Sequence, residues 1–433
     1  MTTVTTQIGT VSSVCEKENS VALMACLMCV LGAVFYCYEY YLRVAPSVIQ
    51  PQLLETYNIS QAGLGLMISY YYLAYVPLQI PVGLMMDYWG PRRVLTLACL
   101  LCALGTFIFA GTDIINVAKL GRFMVGFGSA FAYIGVLKIA NIWLPRKYFA
   151  TIAGLCTALG MFGAMSGNIL VAKFVGVTGW QHTLYSSAVV GLLLAAVLWL
   201  VIRDNSDREF ITLGRASHKG VGIWTELLSV IKNKQLWLNG LIGCLTFLPL
   251  TAFAEFWSVS YLENIGLSTK HAALGSSMVF LGFAVGGPIW GRTSDLIKSR
   301  RTPLFLGAIS SSVAAMILLT MQAENIYLLY TVLFLLGFLA SVQVLVFAIG
   351  EDNCSPGMSA TTVSFTNFIV MFGGFVFQPL VGYLHDIAHG FNLTSQLWPT
   401  VYNFKFALLV MPLGLVLASV LCFFLKESYN LKN

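Results

Sequence analysis

Charged residues are scarce in this sequence. Asp, Glu, Lys and Arg make up 10% of its 433 residues, whereas apolar residues make up 58% and the mean hydropathy is +0.80. A water-soluble domain with so little charge would expose a large apolar surface. The composition therefore excludes a soluble globular protein and predicts one that crosses a lipid bilayer many times.

The sequence also lacks the motifs of enzymes and of metal or nucleotide binding. It contains no P-loop, dinucleotide fingerprint, nucleophile elbow or zinc-ligand spacing. Two of its cysteine pairs have CxxC spacing but lie inside apolar runs, which favours small packing residues over redox or metal chemistry. We expect no enzymatic activity, no cofactor, no metal and no nucleic-acid partner.

The first 19 residues are polar, and they show neither a cationic n-region nor a small-residue cleavage site. We therefore expect no cleaved signal peptide, and the first apolar run should remain as a helix.

Twelve apolar stretches approach the roughly 20 helical residues that a bilayer core of about 30 Å requires. They are residues 20–44, 62–86, 92–112, 115–143, 148–174, 182–202, 235–262, 270–290, 302–321, 326–350, 357–384 and 402–425. The fold class is thus an all-α bundle of twelve transmembrane helices. The predicted organisation is a tail over 1–19, a six-helix bundle over 20–202, a linker over 203–234, a second six-helix bundle over 235–425 and a tail over 426–433.

Most of the 24 Lys and Arg residues fall in the tails, the linker and one alternating set of loops. Only Lys119, Lys173 and Lys270 lie in or near the opposite set. The positive-inside rule then places both termini in the cytoplasm. The short loops and tails suit a bacterial inner membrane, and we expect a monomer whose surroundings are the lipid bilayer.

The linker contains apolar residues at helical spacing. Trp224, Leu227, Leu228 and Ile231 would share one face of a short helix. We predict an amphipathic helix that lies at the membrane surface and tethers the two halves.

A loop with a partial repeat follows the second span. Gly83 precedes Asp87 by four residues, Gly90 lies in the turn, and Arg92 and Arg93 follow. The same spacing recurs 208 residues later at Gly291, Asp295, Arg300 and Arg301. Lys298 stands at the position equivalent to Gly90. The glycines allow close approach and a sharp turn, and Asp87 at a helix end can pair with a loop Arg. We interpret both loops as gating latches; the alternative is a static cluster of topology-setting charges.

Twelve spans, this loop motif and its echo resemble the major facilitator superfamily. Residues 122–128 of span four are similar to a second motif of the family, although Val125 stands where Gln is usual. The resemblance implies a secondary transporter whose latch closes the cytoplasmic side. Span five has glycines at 160, 163 and 167 but no Gly-Pro pair, which argues against the drug–proton antiporters. The chain also resembles, loosely, the branch with lysosomal dipeptide carriers and bacterial nutrient carriers.

Ionisable residues inside the spans point to a central site, because they are costly in a bilayer and normally face partners or a wet cavity. Glu39 and Arg43 lie one turn apart in span one, and Glu255 lies in the equivalent span seven. We predict that both acids face a shared cavity and exchange protons, since burial favours a carboxyl's neutral form. An internal Glu39–Arg43 salt bridge is the alternative for the first acid.

Span four carries two further cations. Arg122 is assigned a structural or proton-coupling role. Lys138 is predicted to face the cavity, with a position near the membrane surface as the alternative.

The remaining candidates for substrate binding are aromatic or uncharged polar residues in the spans. Three consecutive tyrosines in span two cannot all face one way, so Tyr71 and Tyr75 are chosen by their one-turn spacing. The amide side chains could equally bond a neighbouring helix. Besides the tyrosines above, the candidates are Tyr36, Tyr40, Trp257, Gln343, Asn367 and Gln378.

These residues predict a proton-coupled symporter that works by alternating access on a small polar or zwitterionic solute. An amino acid or short peptide is favoured, since its ammonium could pair with a Glu and its carboxylate with Arg43 or Lys138. The Glu-rich opening motif of the proton-coupled peptide carriers is, however, absent from span one. The alternatives are an organic-anion or siderophore carrier, then drug efflux, then a receptor that does not transport.

Overall fold

The computed structural model describes residues 24–144, 149–204, 223–353, 359–395, 401–427 and 429. All the regular structure within these ranges is helical, because apolar segments in a bilayer must satisfy their backbone groups internally. Eleven helices of the described residues are long and apolar enough to span a membrane. The predicted tail over 1–19, residues 205–222 of the linker and the end of the chain after 429 lie outside the described residues.

The eleven helices match the predicted spans one and three to twelve. They are Met24–Ser47, Pro91–Ala110, Ile115–Trp143, Thr151–Thr178, Trp180–Val201, Lys234–Asn264, Thr269–Ile297, Arg301–Thr320, Ile326–Asp352, Thr361–Gly390 and Tyr402–Cys422. Spans five and eleven run on as continuous helices over Phe149–Thr178 and Ser359–Ser395. Their ends lie beyond the predicted bounds, as does the end of span eight, and in spans eight and eleven it is polar residues that continue the helix past the apolar run.

The second span is divided into two shorter helices. It runs as Gln61–Leu78 and resumes as Val82–Trp89, with Pro77 near the end of the first piece and Pro81 as the N-cap of the second. Proline cannot donate the interior helix hydrogen bond, so a break at this point follows from the sequence. Between the two halves, Ile223–Lys232 forms the predicted linker helix, on which Leu228 and Ile231 are exposed.

Close helix packing within each half depends on glycine at equivalent places. A Cβ on Gly126 of span four would lie 2.0 Å from the Tyr71 carbonyl oxygen of span two. In the second half, a Cβ on Gly337 of span ten would lie 1.9 Å from the Val279 carbonyl oxygen of span eight. Tyr71 and Val279 are 208 residues apart, the same offset as the loop motifs, so the two bundles share one packing scheme.

Replacing Gly126 with alanine should therefore destabilise the protein by about 1–3 kcal/mol, because the new methyl group meets backbone that cannot rotate away. The measurement is the unfolding temperature of the purified protein in detergent. Gly154→Ala in span five is the matched control, since a Cβ there meets nothing within 4 Å. Equal unfolding temperatures for the two variants would refute the packing argument.

The glycines of span five also allow close helix packing. A Cβ on Gly163 would lie 2.1 Å from the Cys37 carbonyl oxygen of span one, and a Cβ on Gly167 would lie 2.8 Å from that of Tyr41. Spans one and five thus approach each other along a strip of small residues, as membrane helices commonly do.

The two halves meet mainly through spans one, two and five of the first and seven, eight and eleven of the second. We call the end of the bundle that holds Asp87 and Asp295 the motif end. Towards that end, Val82–Trp89 and Ala132–Trp143 pack within the first half, and Leu345–Asp352 packs within the second. The contacts between halves are thus concentrated at the centre and at the opposite end.

Polar contacts close the opposite end. The carboxylate of Asp386, on span eleven, accepts hydrogen bonds from the backbone amides of Ala62 at 2.9 Å and Gln61 at 3.3 Å, in the first turn of span two. A carboxylate at a helix N-terminus is favoured by the unpaired amides and the helix dipole. Nearby, Asn168 Nδ2 of span five donates to Ser276 Oγ of span eight at 2.9 Å.

Span seven departs from regular α-helical geometry at its centre. Residues Pro249–Trp257 form a π-helix, and all nine are buried. Such segments are rare and often lie at functional sites. This one contains Glu255, the acidic residue predicted to face the cavity.

Candidate functional site

A buried arginine joins the two halves at the centre of the molecule. Arg43 Nη2 lies 3.1 Å from Glu39 Oε1 on the same helix, and Arg43 Nη1 lies 3.5 Å from Glu255 Oε1 in the other half. The exposed fractions of the three side chains are 2%, 0% and 1%. The two acids therefore meet at one place, and the Glu39–Arg43 salt bridge that the sequence left as an alternative is present. That both acids face a shared cavity and exchange protons stays a prediction.

Two neighbouring tyrosines of span two complete these contacts. Tyr71 Oη donates to Glu39 Oε2 at 3.0 Å and accepts from Arg43 Nε at 2.9 Å. Tyr72 Oη donates to Glu255 Oε2. Both carboxylates are therefore held by a cation and by a phenol, which offsets much of the cost of burying them. We call Glu39, Arg43, Tyr71, Tyr72 and Glu255 the central cluster.

Tyr72 was not among the candidates predicted from the sequence. The choice of Tyr71 and Tyr75 assumed a single cavity-facing stripe, but Tyr72 faces the second half. Its ring lies against Gly374 of span eleven, where a Cβ would come within 2.4 Å of the ring. A small residue opposite a large aromatic one can be recognised only once spans two and eleven are known to be neighbours.

Aromatic rings surround the guanidinium group of Arg43. Its central carbon lies 4.1 Å from the ring centre of Tyr40, 5.1 Å from that of Tyr71 and 5.2 Å from that of Tyr75. Tyr36 packs edge-on against Tyr40, with ring centres 5.1 Å apart. The predicted tyrosines therefore lie beside the cluster, where cation–π contacts favour keeping the arginine charged.

Arg122 forms a second buried cation close to the cluster. Its Nη1 donates to the Leu42 carbonyl oxygen at 3.2 Å, next to Arg43 in the chain, and its guanidinium lies 5.3 Å from the Tyr71 ring. No acidic side chain of the described residues pairs with it, and its Nε has no hydrogen-bond partner there. The geometry matches a positioning role at the end of span one.

Lys138 does not lie with the central cluster. It forms an ion pair with Asp87 at the motif end, where the two side chains are 30% and 43% exposed. The predicted cavity position is therefore wrong for this structure, as is the expected pairing of Asp87 with a loop arginine. Lys138 lies 16 residues after Arg122, which is about 24 Å along a helix at 1.5 Å per residue.

Trp257 and Gln378 join neighbouring helices instead of lining a cavity. Trp257 Nε1 donates to the Gln378 carbonyl oxygen at 3.1 Å, and Gln378 Nε2 donates to the Thr251 carbonyl oxygen at 2.9 Å. All of these contacts link spans seven and eleven inside the second half. This is the alternative that the sequence left open for the amide side chains.

The other two amide candidates differ from each other. Asn367 Nδ2 of span eleven donates to Gln79 Oε1 of span two at 2.7 Å, so it links the two halves on the motif-end side of the cluster. Gln343 is buried in the short 3₁₀ segment Ser341–Val344 of span ten. Within the described part of the chain, its side chain forms no hydrogen bond, so it remains a substrate-binding candidate.

The two loop motifs share a positive φ at the turn, but their ψ angles of 153° and 40° and their side-chain pairs differ. Gly90 has φ +78°, and Lys298, which replaces it in the second copy, also has a positive φ of +54°. Arg300 Nη1 pairs with Asp295 Oδ1 at 2.7 Å and Arg300 Nε lies 3.5 Å from Asp352 Oδ2, so the second copy contains the expected Asp–Arg contact.

In the first copy, Arg92 bonds the end of span six instead of Asp87. Its Nε donates to the Trp199 carbonyl oxygen at 2.9 Å, and its guanidinium lies 4.2 Å from the Trp199 ring. Gly83 and Gly291 do not bring backbones together, since a Cβ on either would meet nothing within 4 Å. The latch function itself stays a prediction.

Two acidic residues that the sequence analysis missed hold the loops in place. Asp204 Oδ1, just after span six, accepts from the Arg92 amide at 3.0 Å. Glu427, just after span twelve, accepts from the amides of Arg300 at 2.9 Å and Arg301 at 3.2 Å. Each carboxylate caps the N-terminus of a helix, span three in the first half and span nine in the second. The signal was the repeated pair of a cation followed by an acid, Arg203-Asp204 and Lys426-Glu427.

Replacing Glu427 with glutamine should lower the unfolding temperature at pH 7 and lower it by a smaller amount at pH 4. Burial opposes ionisation of Glu427, but hydrogen bonds from the Arg300 amide and the Ser299 hydroxyl outweigh it and lower the pKa of Glu427. A lowered pKa contributes stability above the ordinary value of 4.5, and this is lost as the pH falls through the folded-state value. The expected loss is about 1 kcal/mol or less, because the group is partly solvated.

The control for this prediction is Glu324→Gln, which removes an exposed acid from the loop before span ten. Its unfolding temperature should follow that of the wild type at both pH values. A Glu427→Gln deficit that is as large at pH 4 as at pH 7 would show that the cap depends on shape instead of charge.

The chain is similar in sequence to a known protein family and to individual bacterial proteins. The family model described as Major Facilitator Superfamily matches residues 26–378. The protein named "Probable galactarate/D-glucarate transporter GarP" from Escherichia coli is 24% identical over 385 residues, which cover 81% of this chain and 86% of that one. "Probable sulfoacetate transporter SauU" from Cupriavidus necator is 25% identical over 309 residues, covering 66% and 69%.

Two solved structures have the same fold. A bacterial homologue of the human lysosomal transporter Spinster superposes with a TM-score of 0.76 at 15% identity, covering 93% of this chain and 97% of that one. The D-xylose–proton symporter superposes with a TM-score of 0.74 at 14% identity, covering 95% and 99%. The predicted arrangement of two six-helix bundles is thereby confirmed.

Proposed function

This chain belongs to the Major Facilitator Superfamily, and from that membership we propose that it moves a small organic anion across the membrane together with a proton. It is a multi-pass membrane protein and a secondary transporter of that superfamily. The substrate class, the proton and the roles of the residues below are proposals.

The observation that supports the proposal is the sharing of Arg43 between two buried carboxylates. The three side chains carry one positive and two negative charges when all are ionised. An incoming carboxylate can bind Arg43 only by displacing one of these acids. The displaced acid would then be a buried charge with only a tyrosine hydroxyl and no cation beside it, which is costly unless it takes up a proton. Anion binding and proton uptake are thus linked by electrostatics.

Glu255 is the acid that we propose to be displaced. Its oxygen lies 3.5 Å from Arg43, whereas Glu39 contacts the same guanidinium at 3.1 and 3.2 Å and also accepts from Tyr71. Glu255 is also the member of the pair that belongs to the second half. Releasing it loosens the central contact between halves, which alternating access requires.

Organic anions are preferred here to the amino acids and peptides favoured by the sequence alone. The similar proteins are named as probable transporters of galactarate, D-glucarate, L-galactonate and sulfoacetate, all of which are acids. A zwitterion remains the second candidate, because the two acids of the central cluster could receive an ammonium group.

We further propose that the motif end faces the cytoplasm of a bacterial cell, in agreement with the positive-inside rule. The contacts between halves at the opposite end would then make this an inward-facing state. A single chain contains both bundles, so we propose a monomer as the transporting unit.

The experiment is uptake into liposomes that contain the purified protein, with an imposed pH gradient. D-Glucarate, galactarate and sulfoacetate are compared with an amino acid and a dipeptide. We expect accumulation of at least one organic anion that disappears when the gradient is collapsed by a protonophore. Accumulation of the amino acid or dipeptide alone would support the zwitterion carrier, and lack of any flux or exchange would overturn both.

A further inference from the structure

A groove opens on the outer face of the first half, between spans three and six. Its volume is about 550 Å³, which is within the range of small-molecule sites. Spans three and six pack against other helices of the first half, so the groove faces away from the central cluster. Its lining is Arg93, Thr96, Leu97, Leu100, Leu192, Ala195, Ala196 and Trp199.

The walls of the groove are apolar, and its rim at the motif end is cationic. Arg93 lies in the first turn of span three, is exposed and forms no ion pair or hydrogen bond within the described part of the chain. Its neighbour Arg92 is already bound to Trp199, and the carboxylate of Asp204 is bound to the Arg92 amide. Arg93 is thus free to bind an anion at the depth where the span leaves the membrane.

A buried hydroxyl group also lies on the wall of the groove. Thr96 lies one turn below Arg93 and lines the groove, and its side chain is more than nine-tenths buried. Its Oγ1 has no hydrogen-bond partner among the described residues. Buried hydroxyls are normally satisfied, so an unpartnered one on the wall of a cavity indicates a polar group of a ligand.

The equivalent place in the second half is filled. Phe305, which is 208 residues after Leu97, contacts Phe423 with ring centres 5.1 Å apart. Arg301, the equivalent of Arg93, lies over the Phe423 ring at 5.6 Å. The second half therefore covers the position between spans nine and twelve with its own side chains, whereas the first half leaves it open.

We propose that this groove binds one anionic phospholipid of the leaflet at the motif end. An acyl chain lies along Leu97, Leu100 and Ala196, and the phosphate pairs with Arg93. A groove on the lipid-facing surface with a cation at headgroup depth matches the chemistry of such a ligand, because basic positions between membrane helices attract acidic headgroups. The proposal is independent of the transported substrate.

The test measures lipid binding to the intact protein by native mass spectrometry in detergent. Phosphatidylglycerol is titrated against phosphatidylcholine with the same acyl chains. We expect one phosphatidylglycerol to bind preferentially to the wild type and its affinity to fall about fivefold or more in Arg93→Gln. Ala196→Phe, which fills the groove and keeps the charge, should reduce the same binding.

Arg301→Gln is the matched control, since it removes the equivalent cation from the closed position. It should leave the preferential binding unchanged. Equal losses in Arg93→Gln and Arg301→Gln, or equal binding of both lipids to the wild type, would overturn the proposal. Preferential binding that survives Ala196→Phe would overturn the groove as its location. Transport activity plays no part in these readouts.

Discussion

Arg43→Gln is expected to abolish uptake and to destabilise the protein. The substitution leaves Glu39 and Glu255 buried without their shared cation, which costs roughly 3–5 kcal/mol. Losing the charge that would bind a substrate carboxylate should reduce uptake by roughly 100-fold or more. Both effects are measurable on one preparation, by its unfolding temperature and by uptake into liposomes.

Two further variants separate binding from stability. Arg43→Lys keeps the positive charge, but its compact ammonium group cannot reach Glu39, Tyr71 and Glu255 in the fixed fork of a guanidinium. The triple variant with Glu39→Gln and Glu255→Gln removes all three charges together. We expect it to recover stability but not uptake.

Arg292→Gln is the control for a change of net charge, since Arg292 is exposed at the motif end of span eight. Its uptake should remain near that of the wild type. Wild-type uptake by Arg43→Gln would remove Arg43 from the mechanism, whereas wild-type uptake by Arg43→Lys would show that the charge suffices without the guanidinium fork.

Glu255→Gln is expected to separate substrate movement from proton movement. Glutamine at this position resembles the protonated acid permanently, so it does not compete for Arg43 and has no proton to exchange. We expect accumulation driven by a pH gradient to fall to the level of passive equilibration, while exchange of labelled for unlabelled substrate continues. The measurement is uptake and exchange in the same liposomes, with internal pH followed by an encapsulated dye.

Glu39→Gln provides the comparison for that experiment. Glu39 orients Arg43 through two hydrogen bonds and accepts from Tyr71, so its loss should weaken substrate binding in both assays. If Glu39→Gln alone retains exchange without accumulation, the proton carrier is Glu39, as the sequence analysis also allowed. Proton-coupled accumulation in both variants would reject the two acids as carriers.

Much of the fold follows from the sequence because apolar length and helix geometry are local properties. The approximate positions of the spans and the Glu39–Arg43 pair at one-turn spacing follow from chain-local rules. The break near Pro81 was not predicted, although the missing proline amide accounts for it. The equivalence of spans one and seven also predicted that Glu255 would approach Glu39. That prediction depended only on the internal repeat.

The predictions that were wrong or missing concern contacts between helices that are not equivalent in the two halves. The pairing of Lys138 with Asp87 requires span four to pass the end of span two, which no sequence period specifies. Trp257 and Gln378 bond each other's helices because spans seven and eleven are neighbours. Asp204 and Glu427 lie outside the spans, where an acidic residue is ordinarily solvated, so the repeated cation–acid pair was the only indication of a cap.

The π-helical stretch Pro249–Trp257 makes the orientation of Glu255 sensitive to the number of residues in span seven. A π-helix accommodates an additional residue within the path of an α-helix. One residue corresponds to about 100° of rotation at 3.6 residues per turn. Deleting a single codon ahead of Glu255 would therefore regularise the helix and turn its carboxylate away from Arg43, even though every ionisable residue of the cluster would still be encoded.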